Sequence, residues 1–498
     1  MSTVLNEVRR GTYLDSVALM RVASAIKSMD GVDECGLMMG TPANRRIMAE
    51  AGVLAAEGET AGPGDLVIAI RALDAKVAAA AIAEAGRLLS RPKRASATGS
   101  ATASPRTLRS AVSALPGANL ALISVPGAFA ATEAMKAFSA GLNVLLFSDN
   151  VSLDDEIALK TEARARGLLM MGPDCGTAII GGVPLAFANA VTRGDTGIIG
   201  ASGTGIQEVS SLVSNGGGGI SHAIGTGGRD LSRDVGGITT LMALDLLDAD
   251  PATRQIVLIS KPPAPEVART VLARVARSPK RVVVCFIGAK DLDLPRNAVA
   301  AATLEDAANV ALGREGISSA TPSMRPPIGK LRGLYSGGTL AAEAQLILSR
   351  AGLRIASNAP VSGSATMAEA EGRHTILDLG DDAYTIGRPH PMIEPAVRDR
   401  EIVAALASPD CAVVLLDCVL GYGSHPDPAG HLARLVEARP PGGPRIVASV
   451  TGTDADPQPR ALQVQRLRAA GIEVSPSNAA ATRHALELLS QATPPNRR

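Results

Sequence analysis

The sequence predicts an α/β protein built from several doubly wound parallel-sheet domains, with a small α+β domain in front. Three observations carry this. Short apolar runs alternate with longer stretches whose apolar residues recur at helical spacing. Glycine is abundant (51 of 498 residues), while aromatics make up 2% and tryptophan is absent. Cores must therefore be closely packed layers of Ala, Val, Leu and Ile. Several apolar runs end in glycine-rich turns that open a helix, as the connections of βα units do. A chain of this length holds about three or four domains.

In residues 1–90, Val4–Tyr13, Val32–Met39 and Asp65–Ile70 read as strands. Ser16–Met29, Pro42–Ala51 and Ala72–Leu89 read as helices, the first with Val17, Met20, Ala23 and Ile26 on one face. This α+β domain shows no catalytic constellation and reads as a module for assembly or regulation. Residues 91–109, RPKRASATGSATASPRTLR, lack apolar periodicity and read as a linker with a solvated basic end.

Residues 110–193 place strands Asn119–Val125, Asn143–Ser148 and Leu168–Met171 around helices Ala128–Ala140 and Leu153–Arg166. That alternation is βαβαβ with a parallel sheet. The loop Gly172-Pro-Asp-Cys-Gly176 follows the third strand, at the edge where open α/β sheets bind ligands. Asp174 is a candidate ligand contact there, weighed evenly against a plain turn residue. Cys175 has no histidine near it in sequence and reads as packing.

Residues 194–316 begin with an apolar strand, Thr196–Ala201, broken by Ser202-Gly203-Thr204-Gly205 and followed by a helix over Ile206–Asn215. Such a turn points unpaired N–H groups at an anion, and Ser202 and Thr204 add hydroxyls. The turn is not a P-loop, a GxGxxG fingerprint or a GxSxG elbow. A second strand, Ile220–Ile224, ends in another glycine turn that offers Gly227, Gly228 and the cation Arg229. The two turns are expected to face one crevice. Strands Gln255–Ser260 and Arg281–Ile287 and helices Ile238–Asp248 and Pro265–Ala276 complete the domain, with Lys261 just past a strand end.

Residues 317–330 carry three prolines and read as a second linker. In residues 331–498, Leu331–Tyr335 is a strand, Ser336-Gly337-Gly338-Thr339 breaks it, and Leu340–Arg350 is a helix. This repeats the Ser202 unit, with Glu343 echoing Glu208. Two such helix starts are expected to sandwich one phosphate or carry it between two sites. Later strands at Ile376–Leu379, Ala412–Val419 and Arg445–Val450 lead into loops holding His390 and His425. With Asp378, Asp381 and Asp382 nearby in sequence, these histidines are candidates for acid–base or substrate-orienting work.

The composition excludes some classes. A net charge of +1 and scarce aromatics argue against nucleic-acid binding. Five scattered cysteines without CxxC fit a reducing cytoplasm and no metal site. The start lacks a signal core, and no run reaches the roughly 18 apolar residues of a membrane span.

The loops, taken in order, resemble the NDP-forming acyl-CoA synthetase superfamily, whose type member is succinyl-CoA synthetase. MGPDCGTAIIGGVPLAFANA, GASGTGIQE, HAIGTGGRDLS, SKPP, YSGGTLAAEA, LGDDAYTIGRPHPMI and VTGTDADPQ narrow the resemblance to the FdrA family over nearly the whole chain. The resemblance implies a Rossmann-like, CoA-binding-like domain at 110–193. It implies succinyl-CoA synthetase-like, flavodoxin-like domains at 194–316 and 331–498. It also implies phosphate binding at Ser202–Gly205. Two departures matter. The loop that carries the family's phosphorylated histidine reads GAKDLDLPRNAVAAA, without histidine, and no glycine-rich CoA loop precedes Asn119. Phosphate handling without a phosphohistidine is therefore implied, with phosphate as co-substrate and CoA left open. No ATP-grasp domain is visible, so nucleotide use would need a partner subunit. The resemblance further implies carbamoyl or acyl transfer from a carboxylate or ureido substrate, as in oxamate carbamoyltransferase of purine catabolism. An acyl-CoA synthetase subunit and a non-catalytic scaffold are the alternatives.

Overall fold

The computed structural model describes residues 2–12, 16–27, 29–90, 105, 107–289, 292–314, 329–385, 389–439 and 442–491. Most of both predicted linkers, and parts of the loops at 288–302 and 387–391, lie outside these residues. The chain divides into two compact units. One is Met1–Pro105 with Asp382–Pro389; the other is Arg106–Asp381 with His390–Arg498.

The first unit is α+β. Its sheet is antiparallel, with Leu66–Ala72 between Thr3–Arg9 and Val32–Met39. The central strand alternates: Leu66, Ile68, Ile70 and Ala72 pack with Ala78, Ala81 and Ala85 of helix Ala75–Leu89, while Val67 and Ala69 pack with Met48 and Val53. Period-two patterning thus buries both faces of a strand that reads as continuously apolar.

Among the described residues the second unit holds three sheets. Leu120–Ile123, Asn143–Leu146 and Met170–Met171 form a parallel sheet. The next has seven strands, in the order 298–300, 281–286, 255–260, 193–200, 220–225, 177–180, 183–186. Its five parallel strands run 2-1-3-4-5, a doubly wound order whose switch point lies between the first strand and the third. The last two strands are a hairpin, Thr177–Ile180 and Val183–Ala186, absent from the sequence reading. Its two-residue turn, Gly181-Gly182, has positive φ at both positions (58° and 83°), as a type I′ turn requires. The hairpin joins this sheet antiparallel through Ala223, so the sheet starts well ahead of residue 194. A short helix at Leu108–Ala114, capped by Thr107, runs into the end of the 91–109 linker.

The third sheet is fully parallel, in the order 365–366, 355–357, 374–378, 330–335, 411–419, 445–451, 473–475. It shares one core with the second sheet, where Ile198, Ile206 and Val209 meet Leu331, Leu340 and Leu486. That core holds the carboxyl-end turns of the two sheets against each other. Among the described residues no helix is long and apolar enough to cross a membrane.

Candidate active site at two helix N-termini

The strand Arg193–Gly200 ends at the switch point, and Ser202 leaves it in extended conformation (φ −160°, ψ 121°). The Ser202 hydroxyl caps helix Gly203–Asn215 by accepting from the Gly205 N–H at 3.0 Å. A Cβ on Gly205 would lie 2.9 Å from that hydroxyl oxygen, so only glycine fits. The strand Lys330–Tyr335 ends in the same way, and helix Gly338–Arg350 begins with Gly337 as its cap residue. The two helix starts touch. The Ser202 and Thr339 hydroxyls are hydrogen-bonded to each other, and a Cβ on Gly337 would lie 3.0 Å from Thr204 Cγ2. Helix geometry leaves the first N–H groups of both helices without an intrahelical carbonyl. The two positive dipole ends therefore converge where an anion is favoured.

The two turns are not equivalent. Ser336 and Gly337 donate their backbone N–H groups to Asp417, at 2.8 Å each, and the Ser336 hydroxyl donates to Asp417 Oδ2 at 2.9 Å. Asp417 is fully buried and also accepts from Arg398 Nη1 at 2.7 Å. Ser336 and Gly337 thus spend their donors inside the protein. The N–H groups of Gly338 and Thr339 are not taken by Asp417.

Asp378 stands at the end of strand His374–Asp378, against the first residue of the Gly338 helix. A Cβ on Gly338 would collide with its carboxylate. Asp378 is 7% exposed. Burial pushes its carboxyl up to about 6, while the ammonium of Lys261, just past strand Gln255–Ser260, acts in the opposite sense. Gly380 donates its N–H to Asp378 Oδ1 at 3.0 Å, and a Cβ on Gly380 would lie 2.6 Å from His390 Nε2. His390 Nδ1 accepts from the Met392 N–H at 3.2 Å, so the neutral ring carries its proton on Nε2, the nitrogen facing Gly380. Burial lowers His390 to about 4 and keeps it neutral. The Met392 carbonyl accepts from the His425 N–H at 2.8 Å, which joins the two histidine loops. His425 Nδ1 in turn accepts from the Asp427 N–H at 3.0 Å.

The echoed glutamates lie one helical turn deeper. Glu208 accepts from Thr451 and from the Asn478 N–H at 2.9 Å. Glu343 accepts from the Leu304 N–H at 2.6 Å and from Asn478 Nδ2 at 2.7 Å. Asn478 thereby links both helices. Burial raises both carboxyls, Glu343 to about 8.

The second glycine turn is used for packing. A Cβ on Gly225 would collide with Cys175 Sγ, and one on Gly227 (φ 85°) would lie 2.5 Å from the Pro173 carbonyl; only Gly228 opens onto free space. Arg229 pairs with Glu156 at 2.8 Å and donates to the Val151 carbonyl at 2.8 Å. Beside it Lys160 donates to Asp230 at 2.7 Å and to the Thr226 carbonyl at 2.9 Å, and pairs with Glu156 at 2.9 Å. Arg229 is thus a member of an ion cluster that fastens helix Leu153–Ala165 to the second sheet. Asp174 is exposed, with positive φ (53°), and its N–H donates to the Ser148 carbonyl. Cys175 is buried, which pushes its thiol up to about 12 and makes it a poor nucleophile.

Sequence reading missed Asp417 and left Lys261 and Asp378 out of the candidate set. Asp417 sits in an unbroken apolar strand, and a charge there is the one available signal. Lys261 and Asp378 each follow or end a strand beside the switch-point turns, and that position marks them.

Comparison with known proteins gives family and relatives. A model described as CoA-ligase matches residues 334–488, one described as CoA binding domain matches 192–288, and one described as AllF, heavy metal-associated domain, matches 1–105. An uncharacterised protein, YahF, of Escherichia coli strain K12 is 40% identical over 495 residues, covering 95% of this chain and 96% of its own length. The alpha 1 subunit of an ADP-forming succinate–CoA ligase from Archaeoglobus fulgidus is 27% identical over 180 residues, 35% of this chain and 59% of that subunit. The subunit SauD of an ADP-forming sulfoacetate-CoA ligase from Bilophila wadsworthia is 26% identical over 180 residues, 35% of this chain and 60% of that subunit. The residues of the first unit do not suit a heavy metal. Positions 1–105 contain one cysteine, Cys35, and no histidine, and burial pushes the Cys35 thiol up to about 12. Among the described residues no cluster of three His, Cys, Asp or Glu is placed to hold a metal ion.

Proposed function

This chain belongs to the FdrA family of the NDP-forming acyl-CoA synthetase superfamily, and from that premise we propose that it transfers an acyl or carbamoyl group to phosphate held between two of its own helix N-termini. The observation that carries this is the meeting of Ser202 with Thr339, which brings two anion-favouring helix starts to one point within a single chain. Backbone N–H groups of Gly203, Thr204, Gly338 and Thr339 hold the phosphate oxygens. A phosphate oxygen attacks the carbonyl carbon, and the preorganised dipoles stabilise the charge that develops. The loop Gly288–Ala302 contains no histidine, so the reaction proceeds without a phosphohistidine.

The substrate reading is a ureido acid. Oxalurate and phosphate give oxamate and carbamoyl phosphate, the oxamate carbamoyltransferase reaction of purine catabolism, with partner subunits completing the complex. A second reading, an acyl-CoA ligase subunit, is favoured by the CoA-ligase and CoA binding domain matches. In that reading the donors of Gly203 and Thr204 suit a CoA pyrophosphate, and CoA and phosphate compete for them. The purified chain, alone and with the products of its neighbouring genes, should form carbamoyl phosphate from oxalurate and phosphate, with no acid-labile phosphate on the protein. Thioester formation from a carboxylate, CoA and a nucleoside triphosphate without any carbamoyl phosphate, or no turnover and no phosphate binding, would overturn the carbamoyl-transfer reading. The last outcome would leave the chain a scaffold for a partner's active site.

A further inference from the structure

Resting on that reading, we propose that Asp378 is the general acid that protonates the departing nitrogen of an N-acyl or N-carbamoyl substrate. Phosphate attack on a ureido carbon forms a P–O–C bond and breaks the C–N bond. The electron pair of that bond goes to nitrogen, and an amide anion does not leave unprotonated. One group near the phosphate must therefore supply a proton, and hydrogen phosphate, which loses its own on attack, restores the balance.

Among the described residues, few groups near the two helix starts could supply it. His390 faces Gly380 with Nε2–H, but its ring is neutral and holds that proton too tightly to give up. The Cys175 thiol is buried and weakly acidic. Glu208 and Glu343 are committed to Thr451, Asn478 and Leu304 below the helix starts. Arg229 is held by Glu156. Asp378 combines position and acidity. Its carboxyl abuts Gly338, the first residue of the helix that holds the phosphate, and a Cβ on Gly338 or Gly380 would press on it. The charged groups acting on it are Lys261 from the second sheet and Asp381 and Asp417 from its own, with the neutral His390 beside Gly380. Burial already lifts it to about 6. A phosphate bound next to it adds negative charge and lifts it further, so that it holds its proton when phosphate is present. That is the range in which an acid catalyst works at neutral pH.

The test compares two donors with different leaving groups on the full-length chain. An N-carbamoyl acid needs a proton at nitrogen, whereas a 4-nitrophenyl carbamate releases a phenolate that departs without one. Asp378→Asn should slow phosphate-dependent turnover of the carbamoyl acid by about 10²–10⁴-fold. Its loss on the nitrophenyl donor should be smaller by at least about tenfold, and phosphate affinity by calorimetry should not fall. Equal losses on both donors, or no loss on the first, would overturn the proposal. If the variant does not fold, the pH profile of the unmodified chain decides. Turnover of the carbamoyl acid must decline with rising pH while that of the nitrophenyl donor does not, and parallel profiles would overturn the assignment. Failure of the unmodified chain to bind phosphate would remove the parent reading and this role with it.

Discussion

Glu343 is a carboxylic acid 1% exposed, at the junction of the second and third sheets. Burial raises it from an ordinary 4.5 to about 8, against the donors Leu304 and Asn478 that favour its ionised form. A raised acid binds its proton more tightly in the folded state than in the unfolded one. Its contribution is therefore fully present below pH 4.5 and is lost as pH rises through about 8. Glu343→Gln removes that titration, and the amide oxygen of the new side chain can still accept from the Leu304 N–H. Thermal unfolding measured from pH 4.5 to 8 should show the unmodified chain losing Tm faster than the variant. Parallel curves would show that Glu343 stays ionised throughout. At this scale the sequence paired Glu343 with Glu208 as glutamates in the helices that follow the SGTG and SGGT turns. It gave no hint of Asn478, 135 residues further on, which ties them together.

Helix Leu153–Ala165 is fastened to the second sheet by charges that the sequence reading assigned otherwise. Lys160 and Asp230 are fully buried, and Glu156 is 1% exposed. Removing one partner of such a cluster leaves a buried charge without compensation, so Lys160→Ala should destabilise the second unit by about 3–5 kcal/mol. Chemical denaturation measures this, and a loss under about 1 kcal/mol would mean the cluster is replaceable by packing. Strand and helix cores were legible because apolar runs and helical periodicity are local properties. The hairpin at 177–186 was not, because Gly181-Gly182 and Pro184 break its apolar runs into pieces that read as loop. Arg229 read only as the cation of a glycine turn because its partner Glu156 lies on an earlier helix, and nothing in the local pattern announces the pair.

At the scale of the whole chain, two doubly wound sheets present their carboxyl ends to each other through one continuous core. The sequence showed two copies of a strand–turn–helix unit, and the structure brings Ser202 and Thr339 into hydrogen-bond contact. Which donors of the second turn remain for a ligand was invisible in sequence. Asp417, 81 residues beyond Ser336, takes up the N–H groups of Ser336 and Gly337. If one phosphate spans both helix starts, removing a contact from either turn changes what the other still holds, and the effects must couple. The decisive measurement is a double-mutant cycle on phosphate affinity by calorimetry. Gly203→Val crowds the first helix start, where a Cβ would already lie 3.1 Å from Thr177 Oγ1, and Gly338→Val crowds the second, where a Cβ would collide with the Asp378 carboxylate. A shared phosphate predicts a coupling energy of about 0.5–3 kcal/mol. Strict additivity of the two losses would contradict it and leave the second turn as a repeated element of the fold.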